Sequence, residues 1–530
     1  MQICFPGITK LPNFQVLNHG MKYLLSFSLV LCFFIGSAQL SPLEKIRSYR
    51  SGNEAVIFKD FFSFLQIPNV ATDTEHIAVN AHFLADLMKS KGIENIQLLS
   101  AKDANVPPVV YGEANVPGAT RTVIFYAHYD GQPVNASLWT TGLHPFHPQL
   151  LNGRADQGAT VQTMASAPSP IPGDWRIYAR GASDDKAGVL AIITAFDAIR
   201  QLRLNRSFNI KFFFEGEEEQ GSPHLEQFIS RYKSLLSSDL WIICDGPVHQ
   251  SGLKQVVFGA RGDAHLTLKV YGPKNPLHSG HYGNWVPNPV LVLVKLLATM
   301  KDERGRVTVK DFYSDVKPLT ASETKALAEI PEVDAELKRR IGFSTEEMPG
   351  TKLAEAINLP SLNINGIESS NVGTIQANVI PVSATAVIDL RLVLGNDWQR
   401  QQQKVIDHIQ AQGFYVTEKE PTDDERSRYE KIVQIKRGTG DNAQRTDMDW
   451  PIAKKVVAAV QQTTNQRVLR VPTLGGSLPV HTLETLLGAR PLIVALANPD
   501  NNQHAEDENI RIQNFRDGID IMAAIMLMKL

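Results

Sequence analysis

The chain has 530 residues, which is more than one ordinary hydrophobic core accommodates, so two or three domains are expected. Hydrophobic residues make up 43% and charged residues 20% of the chain, a composition typical of folded globular proteins and not of disordered ones. The formal net charge of −2 and the lack of a long basic run give no sign of a nucleic-acid partner.

The N-terminal segment has the layout of a secretory signal peptide. Lys22 precedes an apolar run at 24–35, and the small residues that follow predict cleavage after Ala38. The run is shorter than the roughly 20 residues that a membrane-spanning helix needs. We therefore predict a signal peptide at 1–38, with Met21 as an alternative start. The mature protein would be exported to the periplasm or the medium and would have no stable membrane span; a retained N-terminal anchor is the alternative.

Several later runs predict parallel strands that are buried on both faces. Residues 122–127 (TVIFYA), 210–214 (IKFFF), 240–244 (LWIIC) and 491–497 (PLIVALA) are apolar almost throughout. Such runs suit strands that helices cover on both sides of a sheet. Because a helical pattern follows Lys186, between the first two runs, we predict an α/β fold with a mixed, largely parallel sheet and helices on both faces.

The middle of the chain predicts a second, smaller unit. Residues 265–272 and 385–393 alternate apolar with polar side chains, as half-exposed antiparallel strands do. Two helical patterns, at 288–301 and 397–413, complete an α+β module with one open face. The predicted organisation is an α/β domain in two segments, 42–261 and 422–530, interrupted by an inserted α+β domain at 262–421.

Charged side chains follow the predicted parallel strands at the points where the strands end. In open α/β sheets, ligands bind beyond the carboxyl ends of the strands. Carboxylates crowded into one crevice repel each other, and divalent cations remove that cost. Two histidines with three carboxylates form the ligand set of a two-metal site, with the ions about 3.5–4 Å apart. The candidates in chain order are His128, Asp130, Asp184, Asp185, Glu218, Glu219, Asp245 and His504.

Each candidate also has an ordinary structural interpretation. His128 alone would be read as a hydrogen-bonded buried histidine, and Asp184 with Asp185 as a helix N-cap. The run of glutamates at 217–219 would be read as a solvated turn. The joint occurrence of these residues at the ends of predicted strands is what favours a metal site.

Five motifs resemble those of the M20 metallopeptidases. A further motif, HSGHYG at 278–283, is similar to that of the carnosinase and nonspecific dipeptidase branch of the family rather than the aminoacylase branch. The resemblance extends from about residue 45 to the C-terminus, and the fold it implies agrees with the predicted one. The five motifs are HYD (128–130), RGASDDK (180–186), EGEEEQGS (215–222), Asp245 and QHAEDE (503–508).

The resemblance implies a ligand set for two divalent metal ions. Asp184 would bridge both ions. His128 and Asp245 would complete the coordination of one ion, and Glu219 and His504 that of the other. Zinc is the predicted metal, and manganese and cobalt, which accept the same mixture of imidazole and carboxylate ligands, are the alternatives.

The resemblance also implies the catalytic residues. The family pattern makes Glu218 the general base and leaves Glu217 at a variable position. Asp130 would hold His128 in the correct tautomer and orientation. Glu218 would take a proton from an activated water, which attacks the amide carbonyl, and would deliver that proton to the leaving amine.

The inserted domain has two roles in the family: it pairs two subunits into a homodimer, and it contributes to the substrate site. His278 would reach into the partner's active site and stabilise the oxyanion. Asn378 would make a contact across the dimer.

A further group of residues would bind the C-terminal side of the substrate. Arg391 matches the arginine that clamps the substrate carboxylate, a role suited to a bidentate guanidinium. Gly475, Gly476 and Ser477 resemble the family loop that cradles this end of the peptide.

Two features depart from the family pattern. The usual DDKG motif reads DDKAG, with Ala187 before Gly188, which could shift the start of the following helix. The segment 151–175 is longer than the family usually has, and it is either a rim that restricts substrates or a surface loop.

Together these features predict an exported dinuclear peptidase that hydrolyses dipeptides or C-terminal peptide bonds. Its substrates would be peptides with a free C-terminal carboxylate. An N-acyl amino acid amidohydrolase with the same metals is the second enzymatic alternative. A non-catalytic binding protein on a peptidase scaffold is disfavoured, because every ligand and the base are present.

Overall fold

The computed structural model describes residues 40–103 and 105–530. The predicted signal peptide at 1–38 and the alternative start at Met21 lie outside the described residues. Within the described ranges, none of the helices combines the length and the apolar composition that crossing a membrane requires.

Helices pack against two main sheets, of eight and five strands; a four-stranded sheet and two two-stranded sheets complete the described residues. The helices are numbered here in chain order, and short 3-10 turns are left out. The helices α1 to α15 are Pro42–Gly52, Glu54–Leu65, Thr74–Ser90, Lys186–Gln201, Leu225–Arg231, Ser279–Tyr282, Pro289–Ala298, Ala321–Ala328, Asp334–Ile341, Leu353–Ala356, Trp398–Ala411, Asp423–Arg428, Pro451–Gln461, Val480–Leu487 and Ile512–Leu527.

The strands are numbered in the same way. The strands β1 to β21 are Glu94–Leu99, Val109–Ala114, Thr122–His128, Gln149–Leu151, Val161–Gln162, Arg176–Tyr178, Asn209–Glu215, Leu240–Ile243, Gln255–Val257, Gly259–Ala260, Gly262–Tyr271, Leu277–His278, Ser361–Glu368, Val379–Ile380, Ser383–Leu392, Tyr415–Thr417, Ile432–Asp441, Gln444–Arg445, Leu469–Val471, Pro491–Ile493 and Asn509–Arg511.

The larger sheet has eight strands in the order β1-β2-β7-β3-β8-β20-β9-β19. Its centre, β7-β3-β8-β20, is parallel, and antiparallel pairs flank it. Phe212 and Phe214 of β7 pack into one hydrophobic core, and Phe213 packs into a second core on the other face. Burial on both faces explains why these strands are apolar almost throughout, and the predicted mixed α/β fold is confirmed.

One of the predicted strands is shorter than its apolar run. Strand β20 ends at Ile493, whereas the run continues to Ala497. Residues 494–497 remain buried and keep isolated contacts with the chain that follows β8, including a bridge between Pro247 and Ala497. The apolar run therefore reports burial beyond the end of the strand.

The smaller sheet has five strands in the order β13-β15-β11-β17-β16. Helices α7 and α11 contact β11, and the buried side chains of β11 pack into a core with residues of both helices. The domain boundaries stay predictions. Strand β17 lies beyond residue 421 yet pairs with β11, so this sheet extends past the predicted boundary. The apolar side chains Val433 and Ile435 supply the burial that holds β17 there.

Candidate active site

The candidate metal ligands lie where the central strands of the larger sheet end. Strand β3 ends at His128, the turn after β7 carries Glu218 and Glu219, and Asp245 follows β8. These strands are parallel neighbours, so their carboxyl ends share one edge of the sheet. The loop that follows β20 brings His504 to the same place.

His128 lies at the centre of one group of potential ligands. Its Nε2 atom is 3.0 Å from Oδ1 of Asp184 and 3.8 Å from Oδ2 of Asp245. His128, Asp185 and Asp245 each offer a ligand atom, and these atoms lie within 4.8 Å of one another. His128 is fully buried, which suits a ligand that is shielded from solvent.

A second group lies beside the first. The Nε2 atom of His504 is 3.2 Å from Oδ2 of Asp184 and 3.1 Å from Oε2 of Glu219. The two oxygens of Asp184 therefore face two different histidines, as expected of a carboxylate between two ions. Burial opposes ionisation of this carboxyl, but His128 and His504 hold the pKa of Asp184 well below its ordinary value.

The buried carboxyl groups of the candidate site are difficult to ionise together. Burial raises the pKa of Asp245 to about 7, and the Asp184 carboxylate adds to the shift while His128 opposes it. Burial likewise raises the pKa of Glu218 well above its ordinary value. Carboxyl groups that are this difficult to ionise together become stable carboxylates when divalent cations lie among them. The donor set therefore fits two divalent ions.

Asp130 connects the two ends of the site. Its Oδ1 atom lies 3.3 Å from Nδ1 of His128. Its two oxygens also accept hydrogen bonds from the backbone N–H groups of Glu218, at 3.2 Å, and Glu219, at 3.0 Å. Asp130 is thus placed to orient the His128 ring and to hold the turn that carries both glutamates.

The three glutamates of the turn point to different partners. Glu217 accepts from the backbone N–H and approaches the ring of His224, at 2.9 Å in each case. Glu219 faces His504, and its Oε2 accepts from Gln132 Nε2 at 2.8 Å. Glu218 Oε2 lies 4.0 Å from His128 Nε2.

The start of helix α4 settles two questions that the motif RGASDDKAG raises. Asp185 stands before the helix, but its side chain makes no capping hydrogen bond and instead accepts from the His128 backbone N–H at 3.2 Å. The helix begins at Lys186 despite the additional Ala187. Gly188 packs so closely that a Cβ there would stand 2.6 Å from the Cys244 carbonyl oxygen, so α4 is held against the end of β8.

Glu508 is a buried residue of the site that sequence reasoning did not single out. Its carboxylate accepts from the Arg180 guanidinium and from the backbone N–H groups of Gly181, Ser183 and Asp184, at 2.8 to 3.0 Å, and also from the Ser183 hydroxyl. It lies four residues after His504, in the motif QHAEDE. That proximity was the available signal, although an acidic loop is normally read as solvated.

The predicted substrate residues come together in part. Arg391 Nη1 donates to Ser477 Oγ at 3.0 Å, so the predicted carboxylate clamp contacts the predicted substrate loop. A Cβ atom on Gly475 would lie 3.3 Å from the Ile357 side chain. A Cβ atom on Gly476 would have no described atom within 4 Å.

His278 and Asn378 lie beside each other but do not join the metal-ligand groups of their own chain. His278 is exposed, and its Nδ1 accepts from Gly280 N at 3.0 Å. The Asn378 carbonyl accepts from Ser279 N at 2.9 Å. Their predicted roles across a dimer stay predictions.

The long segment 151–175 contains one arm of a short hairpin, and most of its other residues form loop. Strands β4 and β5 form a hairpin that extends a small sheet through β6 to β21. Arg154 and Arg176 both contact Oδ2 of Asp500, at 3.0 and 2.7 Å. The segment therefore braces the loop that carries His504, and its effect on substrate choice stays a prediction.

The chain is similar to known peptidases over most of its length. Residues 124–528 match the profile of the family described as Peptidase family M20/M25/M40. The Cys-Gly metallodipeptidase DUG1 of Candida albicans is 26% identical over 482 residues, covering 86% of this chain and 90% of that protein. The human Beta-Ala-His dipeptidase is 26% identical over 445 residues, covering 81% of this chain and 79% of that protein.

Solved structures have the same architecture. The M20 family metallo-carboxypeptidase Sso-CP2 of Sulfolobus solfataricus superimposes with a TM-score of 0.72 at 27% identity, covering 89% of this chain and 98% of its own. Human carnosine dipeptidase 1 superimposes with a TM-score of 0.73 at 22% identity, covering 92% and 98%. The second similarity shows the fold alone.

The predicted export is wrong in the light of these relatives. The DUG1 dipeptidases of three yeasts, which match between 79% and 88% of this chain, are cytosolic enzymes. The prediction depended on a short apolar run at 24–35, which lies outside the described residues. A local composition signal of that kind is weaker than similarity over most of the chain.

Proposed function

The chain belongs to the peptidase family M20/M25/M40, a family of hydrolases that act on peptides, and we propose that it is a dinuclear metal-dependent dipeptidase. Asp184 carries this proposal, because its two carboxylate oxygens face His128 and His504 from opposite sides. Asp245 and Glu219 add one carboxylate to each side. Zinc is the proposed metal at both positions, with manganese or cobalt as alternatives.

The residues around the ligands fit amide hydrolysis. Two divalent ions would polarise the substrate carbonyl and lower the pKa of a water. Glu218 accepts the proton of that water and passes it to the leaving amine. Asp130 keeps Glu218 in reach, since it binds the Glu218 backbone N–H at 3.2 Å and lies beside His128. The substrate carboxylate binds to Arg391, which favours dipeptides or C-terminal residues over internal peptide bonds.

Metal removal tests the proposal directly. We expect about two zinc ions per purified chain, loss of Cys-Gly and β-Ala-His hydrolysis after chelation, and recovery when zinc is restored. Metal content is measured by plasma mass spectrometry, and turnover by release of the free amino acids. Full turnover in excess chelator would contradict the proposal. Preferential cleavage of N-acetyl amino acids over every dipeptide would favour the amidohydrolase alternative.

We also propose that the inserted domain, 262–421, pairs two copies of the chain. Strand β13 is one of the two edge strands of the smaller sheet, and its outer edge can pair with another strand. Leu291 and Val294 of α7 and Ile364 and Ile367 of β13 are between 39% and 61% exposed. Val294, Ile364 and Ile367 line a common groove, so the edge has an apolar border suited to a second copy.

Mixing two inactive variants tests the dimer and the role of His278 together. His278→Ala and Glu218→Gln homodimers are each expected to be inactive. After the two variants are mixed and allowed to exchange subunits, hybrid dimers would contain one site with both an intact Glu218 and the partner's intact histidine. Activity should then return to a substantial fraction of the wild-type value. No recovery in a mixture that light scattering shows to be dimeric would contradict a role for His278 across the interface.

Ile367→Lys provides the matched structural control. A lysine on an edge strand disfavours pairing between strands, so this variant is expected to be monomeric in light scattering and to show no recovery in any mixture.

A further inference from the structure

The open face of the smaller sheet carries charged side chains at the end where the chain arrives from the larger sheet. Strand β11 pairs antiparallel with β15, with Asp263 opposite Arg391 and His265 opposite Asp389. Alternate residues of a strand point to opposite faces, so these four side chains share the face that α7 and α11 leave uncovered. Arg391 therefore stands among ionisable neighbours to which the proposed reaction gives no role.

Asp389 fixes the orientation of the Arg391 side chain. Arg391 Nε donates to Asp389 Oδ2 at 3.1 Å, and Nη1 donates to Ser477 Oγ at 3.0 Å. Two acceptors on different nitrogens hold a planar guanidinium in one orientation. Within residues 40–103 and 105–530 these are the side chains that accept from this group. Nη2 and the second Nη1 hydrogen are left to donate to a carboxylate.

A histidine lies behind Asp389. His265 Nε2 lies 3.3 Å from Asp389 Oδ1, and His265 Nδ1 lies 3.7 Å from Asp263 Oδ2. Burial opposes ionisation of Asp389, but His265 and Arg391 hold the pKa of this carboxyl below its ordinary value. Asp389 is thus a fixed, charged partner for the guanidinium.

A second guanidinium adds positive charge to the surroundings of Asp389. Arg261 is buried, and its Nη2 donates to the Leu359 carbonyl at 2.8 Å and to Ser361 Oγ at 3.0 Å. Burial and the positive charge of Arg391 lower the pKa of Arg261 to about 10. Like charges repel each other, and the Asp389 carboxylate offsets that repulsion.

We propose that Asp389 is a positioning residue for Arg391 and thereby sets the discrimination between peptides with a free and with an amidated C-terminus. The inference rests on the proposed function, in which Arg391 binds the substrate carboxylate. Without Asp389 the guanidinium would lose its fixed orientation, so a carboxylate would have to order it on binding. An amide carries no charge for Arg391 to recognise and would bind equally well with or without Asp389.

The test compares the wild type with Asp389→Ala and Asp389→Asn on one dipeptide and on its C-terminal amide. For Asp389→Ala we expect KM for the free dipeptide to rise about tenfold to a hundredfold while kcat stays within about threefold. The kcat/KM value for the amide should stay within about twofold of wild type. Asp389→Asn retains an acceptor oxygen for Arg391 Nε, so its KM for the free dipeptide should lie between those of the wild type and Asp389→Ala.

Asp407→Asn serves as the matched control. Asp407 is an exposed carboxylate on α11, the helix that covers the other face of the same sheet. Its loss should leave kcat and KM unchanged for both substrates. Equal losses on both substrates, or no rise in KM with Asp389→Ala, would overturn the inference. If Asp389→Ala does not fold, Asp389→Asn takes its place. A ratio of kcat/KM for the dipeptide to kcat/KM for the amide that equals the wild-type ratio would then overturn the inference. A metal-loaded wild type without dipeptide turnover would instead refute the proposed function, and this inference with it.

Discussion

Glu218→Gln is expected to reduce kcat by about a hundredfold to ten-thousandfold while the metal content stays unchanged. Glutamine has the shape of glutamate but cannot take the proton of the attacking water. Glu218 Oε2 lies 4.0 Å from His128 Nε2, and Glu218 is not a member of either metal-ligand group in the described part of the chain. Its backbone N–H remains bound to Asp130 in the variant, so the turn should keep its shape.

The measurement pairs steady-state kinetics with metal analysis, and Glu217→Gln is the matched control. Glu217 is the preceding residue, and its carboxylate contacts His224 instead of the ligands. We expect its variant to retain kcat within about threefold, since it does not touch the reacting groups. Equal losses of kcat in the two variants would show that the turn matters as a structural unit and that Glu218 has no special chemical role.

Glu508→Gln should be the most destabilising single change near the site, at about 3–5 kcal/mol in the free energy of unfolding. The amide would place a donor against the Arg180 guanidinium or the backbone N–H groups that now point at the carboxylate. Arg180 would then be a buried charge without its partner. Because Asp184 N is one of the donors, zinc affinity should fall as well.

Chemical denaturation of metal-free protein isolates the change in folding free energy, and a zinc titration then measures the change in affinity. Glu506→Gln, two residues earlier in the same loop, is only partly buried and should change stability by less than about 0.5 kcal/mol. Wild-type stability in Glu508→Gln would show that the carboxylate is not the group that holds residues 180–184 together.

Much of the candidate metal site is predictable from the sequence because parallel strands impose a shared edge. Once β3, β7 and β8 were recognised as buried strands, His128, Glu219 and Asp245 had to lie near one another. Spacing alone did not distinguish the three glutamates, since the side-chain directions depend on the 3-10 turn at Glu218–Gln220. The resemblance to M20 peptidases supplied that assignment.

The remaining features depend on contacts between distant parts of the chain. Glu508 looks like one acidic loop residue among several until it is seen to face residues 180–184. The role proposed for Asp389 depends on the strand register that places it opposite His265, and no local pattern reveals that register. Strand β17 was missed because only part of Ile432–Asp441 alternates, and its pairing with β11 overrides the polar composition of that segment.

The position of β20 has a consequence for how the protein is made. This strand, Pro491–Ile493, lies in the sheet between β8 and β9, both of which leave the ribosome long before it. Until residue 493 is synthesised, β8 and β9 each expose an edge that can pair with another nascent chain. His504 and Glu508 follow later still, so the candidate site is completed only after β20 has been synthesised. Cells that produce this protein should therefore depend on chaperones that bind the unpaired strand edges of the incomplete sheet.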